Sequence, residues 1–156
     1  MPNSAQPIEP LTRREVLRRA RFWVDQRVHY FTRDGLRPAQ ALDPDGRAYR
    51  TDCSGYVCMA WRAPSEPSTH EFDQLGHEIT RDDLQPGDAL LWKGEGGYGV
   101  DGGHVLLFAR WADPDRTHYL GFELAGNQCA RLWTVPYPYR DSDPRYVPWR
   151  CRHILD

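Results

Sequence analysis

The chain has 156 residues, 40% of them hydrophobic and 12% aromatic, enough for one domain with a real core and too few for two comfortable ones. Its formal net charge of −2 argues against the basic footprint of a nucleic-acid binder, although Lys93 is the only lysine among many arginines, so local arginine patches stay open. No stretch approaches the roughly eighteen apolar residues of a membrane span, and the first residues lack the basic-then-apolar pattern of a signal peptide, leaving cytoplasmic retention, another export route or a trimmed leader as the expectations.

Met1 to Pro10, with three prolines, reads as a disordered arm. Thr12 and Glu15 form a Thr-x-x-Glu capping box that predicts a helix to about Val28. Val16, Leu17, Ala20, Trp23 and Val24 make its apolar face. Arg13, Arg14, Arg18, Arg19 and Arg21 fall largely elsewhere and read as a solvated face, with phosphate or anionic-lipid binding as the alternative. After His29-Tyr30-Phe31, a loop through Asp34-Gly35, Pro38 and Asp43-Pro44-Asp45-Gly46 delivers the chain to Tyr49-Arg50-Thr51-Asp52-Cys53-Ser54-Gly55. Gly55 to Trp61 is predicted to be helix, with Val57, Ala60 and Trp61 at i, i+3, i+4 spacing. Cys53 thus sits where loop turns into helix, where free N–H groups and the helix dipole favour an anion. A thiol so placed is a candidate nucleophile; the alternative is a small buried residue.

Pro64 to Thr80 reads as a surface connection with a helical turn near Glu71 to Leu75, and His70 and His77 lack the i, i+4 spacing of a metal pair. Pro86-Gly87-Asp88 is a turn and Ala89 to Trp92 a short strand. Six glycines between Gly94 and Gly103 predict a flexible hairpin connection, with Tyr98 the candidate to close over a bound peptide. The context is not that of a phosphate loop. Strands are expected over His104 to Ala109, Tyr119 to Glu123 and Ala130 to Val135. Pro136 to Pro148 reads as irregular, and Trp149 to Ile154 as an edge strand. Helices first and antiparallel strands afterwards predict an α+β fold. With Cys53 set aside, Cys58, Cys129 and Cys151 leave an odd remainder that suggests no disulfide framework, with a single Cys129–Cys151 bridge left open. No Cys or His cluster has zinc spacing.

Three ordered motifs carry a resemblance. Asp52-Cys53-Ser54-Gly55 followed by Tyr56-Val57, then Leu84-Gln85-Pro86-Gly87-Asp88 with the strand to Trp92, then Gly103-His104-Val105-Leu106-Leu107-Phe108, resemble in turn three landmarks of the NlpC/P60 cysteine peptidases, a papain-related superfamily. These are the nucleophile motif, the L-x-P-G-D turn and the histidine strand, and the match spans roughly residues 28 to 137. It implies a single papain-like domain over residues 11–156, with N-terminal helices packed on an antiparallel sheet, Cys53 as nucleophile and His104 as its partner. The family's third member is a polar residue on the next strand. Glu123 holds that place, since Phe122 points the other way by alternation; Asn127 and Gln128 are the alternatives. Tyr30 is the candidate for the family's cleft tyrosine and Tyr49 its rival. The oxyanion would be held by the Cys53 N–H with help from Ser54 or a tyrosine hydroxyl, and Asp52 would border the cleft. The family's Y-x-W-G-G run is absent here. The resemblance implies amide hydrolysis in peptides or peptidoglycan stem peptides, often beside D-Glu or diaminopimelate, through an acyl-enzyme. It implies no metal or other cofactor, and the chain is expected to be a monomer without a nucleic-acid partner. An amidase of small-molecule metabolism, a delivered toxin, an acyltransferase using the same thioester and a non-catalytic binding module remain as alternatives.

Overall fold

A computed structural model of the chain describes residues 9–30, 39–95 and 102–156. In chain order the elements are β1 (Leu11–Thr12), α1 (Arg13–Asp25), β2 (Gln40–Leu42), β3 (Ala48–Arg50), α2 (Cys53–Ala60), β4 (Gly76–Glu78), β5 (Ala89–Trp92), β6 (His104–Trp111), β7 (His118–Glu123), β8 (Arg131–Pro136), β9 (Val147–Cys151) and β10 (Ile154–Leu155). Short 3₁₀ segments occupy Thr69–Gln74, Arg81–Asp83 and Arg140–Ser142. One six-stranded antiparallel sheet, ordered β4-β9-β5-β6-β7-β8, packs against the two helices, so the fold is α+β.

Thr12 caps α1 by accepting the Glu15 N–H at 3.1 Å. The Glu15 carboxylate turns to Arg18 at 2.6 Å, so the capping box forms only in its first half. The helix ends at Asp25, three residues before the expected Val28, because Arg27 takes φ 54° and the Val28 N–H returns to the Trp23 carbonyl at 3.1 Å. Val16, Ala20 and Trp23 are buried as the periodicity predicts, and Trp23 stacks on Tyr56 with ring centroids 5.5 Å apart.

Arg19 departs from the expected solvated face: it is fully buried. Its guanidinium reaches Asp43 at 2.6 Å, Asp45 at 3.0 Å and the Met59 carbonyl at 2.9 Å. A buried cation needs such partners, and these tie the Asp43–Asp45 turn to both helices.

The Pro-Gly-Asp turn is a structural joint. Asp88 is buried between Arg13 and Arg150, each at 3.0 Å, and accepts the Gln85 N–H at 2.8 Å. Trp61 donates its indole N–H to the Gly87 carbonyl at 2.8 Å, locking the end of α2 to the start of β5. The C-terminal strand β9 is not at the edge as expected but lies between β4 and β5. The short β4, read from sequence as part of a surface connection, covers it, and Gly76 permits the approach because a Cβ there would lie 1.9 Å from the Arg150 carbonyl oxygen. All four cysteines are free thiols, Cys129 exposed and Cys151 buried, so the bridge left open by the sequence is not formed. Most of the Met1 to Pro10 arm and residues 96–101 of the glycine-rich connection, Tyr98 included, lie outside the described residues. Among the described residues no helix is long and apolar enough to cross a membrane.

Candidate active site

Cys53 is the first residue of α2. Asp52 is the N-cap, in extended backbone, and its Oδ1 accepts the Gly55 N–H at 2.7 Å. Gly55 has no substitute here, since a Cβ would lie 2.0 Å from the Arg50 carbonyl oxygen. The Asp-Cys-Ser-Gly run therefore folds as it does because β3 and α2 meet in a tight corner. The thiol stands at the outer edge of that corner, half-buried, while Tyr56, Val57, Met59 and Ala60 anchor the helix in the core.

His104 opens β6. By alternation Val105 and Leu107 join the core cluster that contains α2, and Leu106 and Phe108 join the cluster on the opposite face. The His104 ring lies against Tyr139 and Tyr146, with centroids 5.3 Å and 6.1 Å away. Gly103 before it takes φ 86°, and a Cβ there would lie 2.2 Å from Thr69 Oγ1 and 2.5 Å from the Lys93 carbonyl oxygen. A glycine is required to aim the strand start.

Glu123 ends β7, fully buried, with Oε2 2.7 Å from His104 Nε2. The Tyr139 hydroxyl donates to the same oxygen, and Arg131, directly opposite Glu123 in register on β8, reaches Oε1 at 3.3 Å. Phe122 faces the helix-side cluster, as strand parity predicts. Of the sequence alternatives, Asn127 is exposed in a turn at φ 62°, and Gln128 lends its carbonyl to the Tyr30 N–H at 2.9 Å.

With Nε2 committed to Glu123, Nδ1 is the nitrogen left for Cys53, whose side chain is near enough to favour the charged ring. Burial works against charging this imidazole. The neighbouring Cys53 side chain and the hydrogen bond and charge of Glu123 outweigh it and lift His104 to about 9. Burial likewise favours a neutral Glu123, but the His104 hydrogen bond and charge, the Tyr139 hydroxyl and the Arg131 charge bring it down to about 2. At neutral pH the pair is imidazolium and carboxylate. Burial and the Glu123 charge push Tyr139 upward, so its phenol remains a donor.

In front of Cys53 lies a cavity of about 420 Å³ lined by Tyr30, Arg50, Ser54, Glu66 and Thr69, among others. Of the residues expected at the cleft, Tyr30, Asp52 and Ser54 border it. Tyr49 does not: it is fully buried and donates its hydroxyl to the Ala63 carbonyl at 2.8 Å. Alternation along β3 turns Tyr49 into the core and its neighbour Arg50 into the cleft. Ser54 Oγ is engaged, donating to Asp52 Oδ1 and accepting from Arg50, both at 3.2 Å.

Sequence reasoning missed Arg50, Glu66, Arg131 and Tyr139. Arg50 spans the cleft floor, from Asp52 Oδ2 at 3.1 Å to the Glu66 carbonyl at 2.8 Å. Arg131 becomes legible only once β7 and β8 are in register. Tyr139 lies in the Pro-rich segment and has no local signal at all. Among the described residues no group of three or more His, Cys, Asp or Glu is placed to hold a metal ion. No protein-family model matches the chain, and no curated protein matches it.

Proposed function

We propose that this chain is a thiol-dependent amide hydrolase of papain-like, NlpC/P60 type, with Cys53 as nucleophile, His104 as general acid and base, and Glu123 as the group that orients the ring. One observation carries the reading: a histidine held through Nε2 2.7 Å from a buried carboxylate lies close enough to a cysteine on the first turn of a helix for that cysteine to help keep the ring charged.

The chemistry follows from that arrangement. The Cys53 sulfur attacks the substrate carbonyl carbon, and the carbonyl π pair moves onto oxygen. The Cys53 backbone N–H, in the helix turn that has no intrahelical acceptor, donates to that oxyanion. Collapse breaks the C–N bond as His104 passes its proton to the leaving amine, and a thioester to Cys53 remains. Neutral His104 then takes a proton from water, which attacks the thioester and frees the acid. Glu123 stays ionised throughout and fixes Nε2, so that Nδ1 serves the sulfur.

The cleft supports a peptide substrate with charged groups, because Arg50 and Glu66 both line it. Together with the three motifs, this favours stem peptides of the cell wall as the substrate class. The test is incubation with soluble peptidoglycan stem peptides and mass spectrometry of the products. Fragments that sum to the parent plus one water, absent with Cys53→Ala, are expected. Fragments formed equally by Cys53→Ala would contradict the mechanism.

A further inference from the structure

A second groove lies away from Cys53, on the helix-covered face of the sheet. Its floor is Leu17, Leu120, Phe122 and Leu132, and its rim includes Arg14, Arg21 and Arg110. Arg110 is six residues along β6 from His104, about 20 Å at strand rise, so the groove is separate from the candidate active site. The register shift between Phe108 and Arg110 interrupts alternation there and sets Arg110 opposite Leu120 at the groove.

The rim is unneutralised. Among the described residues none of Arg14, Arg21 and Arg110 forms an ion pair, whereas Arg13, Arg18, Arg19, Arg50, Arg62 and Arg150 all do. Arg21 lies over the Phe122 ring, 5.6 Å from its centroid, so three guanidiniums without a carboxylate partner among the described residues surround this apolar floor.

Shape and spacing select the occupant. Phe122 is buried, so the apolar surface open to a partner is the half-buried Leu17, Leu120 and Leu132 between the guanidiniums. Arg14 and Arg21 stand seven residues apart on one helix face, about 10 Å along its axis, and Arg110 faces them from the sheet. A single anionic headgroup cannot engage all three. A helix with apolar side chains on one face and carboxylates on its flanks can. We infer that this groove docks an acidic amphipathic helix of a partner protein, with leucine-like side chains on the Leu17–Leu120–Leu132 floor and carboxylates on Arg14, Arg21 and Arg110.

The test uses a fluorescent synthetic helical peptide with a leucine stripe flanked by glutamates, and the full chain. Anisotropy should show saturable binding that weakens as salt rises and is lost when the glutamates become glutamines. The triple variant Arg14→Ala, Arg21→Ala, Arg110→Ala should bind about tenfold more weakly, at 0.2–1 kcal/mol for each exposed pair, with an unchanged circular dichroism spectrum. Leu132→Glu should abolish binding from the floor side. Equal affinity of the triple variant and the parent chain would overturn the inference. So would binding to phosphatidylglycerol vesicles that excludes the peptide, because that result assigns the arginines to a lipid surface. The readout is independent of hydrolysis, so failure here leaves the proposed reaction standing.

Discussion

Replacing Arg19 with methionine keeps the apolar stem and removes a guanidinium that is fully buried. The loss strands two groups: Asp43 Oδ2, which Arg19 meets at 2.6 Å, and the Met59 carbonyl at 2.9 Å. Breaking a buried pair from one side costs about 3–5 kcal/mol. That is a large share of the roughly 5–15 kcal/mol that holds a domain together, and corresponds to about 10–15 °C in melting temperature at this chain length. Burial pushes the Asp43 carboxyl up, but Arg19 and the backbone N–H groups of Arg47 and Asp45 outweigh it and hold it below its ordinary value. The native contribution is therefore present above the ordinary carboxyl pKa and fades as pH falls through the lowered one. In Arg19→Met the stranded carboxylate is relieved by protonation, so the gap between variant and parent should narrow in acid. Urea melts across pH measure this. Adding Asp43→Asn should return about 1–3 kcal/mol by removing the stranded charge. A loss under about 1 kcal/mol for Arg19→Met, where a buried pair broken from one side is expected to cost several times that, or a double variant no more stable than the single, would refute the reasoning.

Glu123→Gln removes one of the groups that lift His104; the charged ring's contribution is complete below the ordinary imidazole pKa and is lost as pH rises through the raised value of about 9. The alkaline limb of the pH–rate profile should therefore move towards neutrality, with a smaller loss of kcat than His104→Ala causes. Gly103→Ala forces a Cβ to within 2.2 Å of Thr69 Oγ1 at φ 86°, so it should cost about 1–3 kcal/mol in urea melts and lower kcat/KM by displacing His104. Tyr139→Phe takes one donor from the buried Glu123 carboxylate and should destabilise by about 1–3 kcal/mol, with the Glu123 carboxyl titrating at higher pH by carbon-13 NMR.

The parts of the site that local rules govern were legible. Cys53 was legible as a loop-to-helix junction, although α2 starts at Cys53 and not at the expected Gly55 because Asp52 caps it, and the place of Glu123 follows from strand parity with Phe122. The strands from β5 to β8 follow from apolar runs between turns. What stayed hidden depends on long-range pairing. Arg19 reads as polar by type, and only the Asp43 turn 24 residues away makes its burial sustainable. Tyr49 and Arg50 are adjacent and share one motif, so which enters the cleft is decided by how β3 meets α2. The inner position of β9 depends on β4, a three-residue strand with no periodicity to find. Tyr139 comes to Glu123 from a segment whose prolines mask any pattern.

The central claim is that Cys53 and His104 form a nucleophilic pair. Timed iodoacetamide labelling at mildly acidic pH, read by peptide mass spectrometry, tests it most directly. Cys58 is buried with its thiol pushed well above the ordinary value by burial, and burial also lifts Cys151 to about 12, so both should stay unlabelled in the folded chain. Cys129 is exposed and provides the internal reference. The account predicts that Cys53 labels well before Cys129 and that His104→Ala erases the difference. Labelling of Cys53 no faster than Cys129 in the parent chain, or a rate unchanged by His104→Ala, would contradict it.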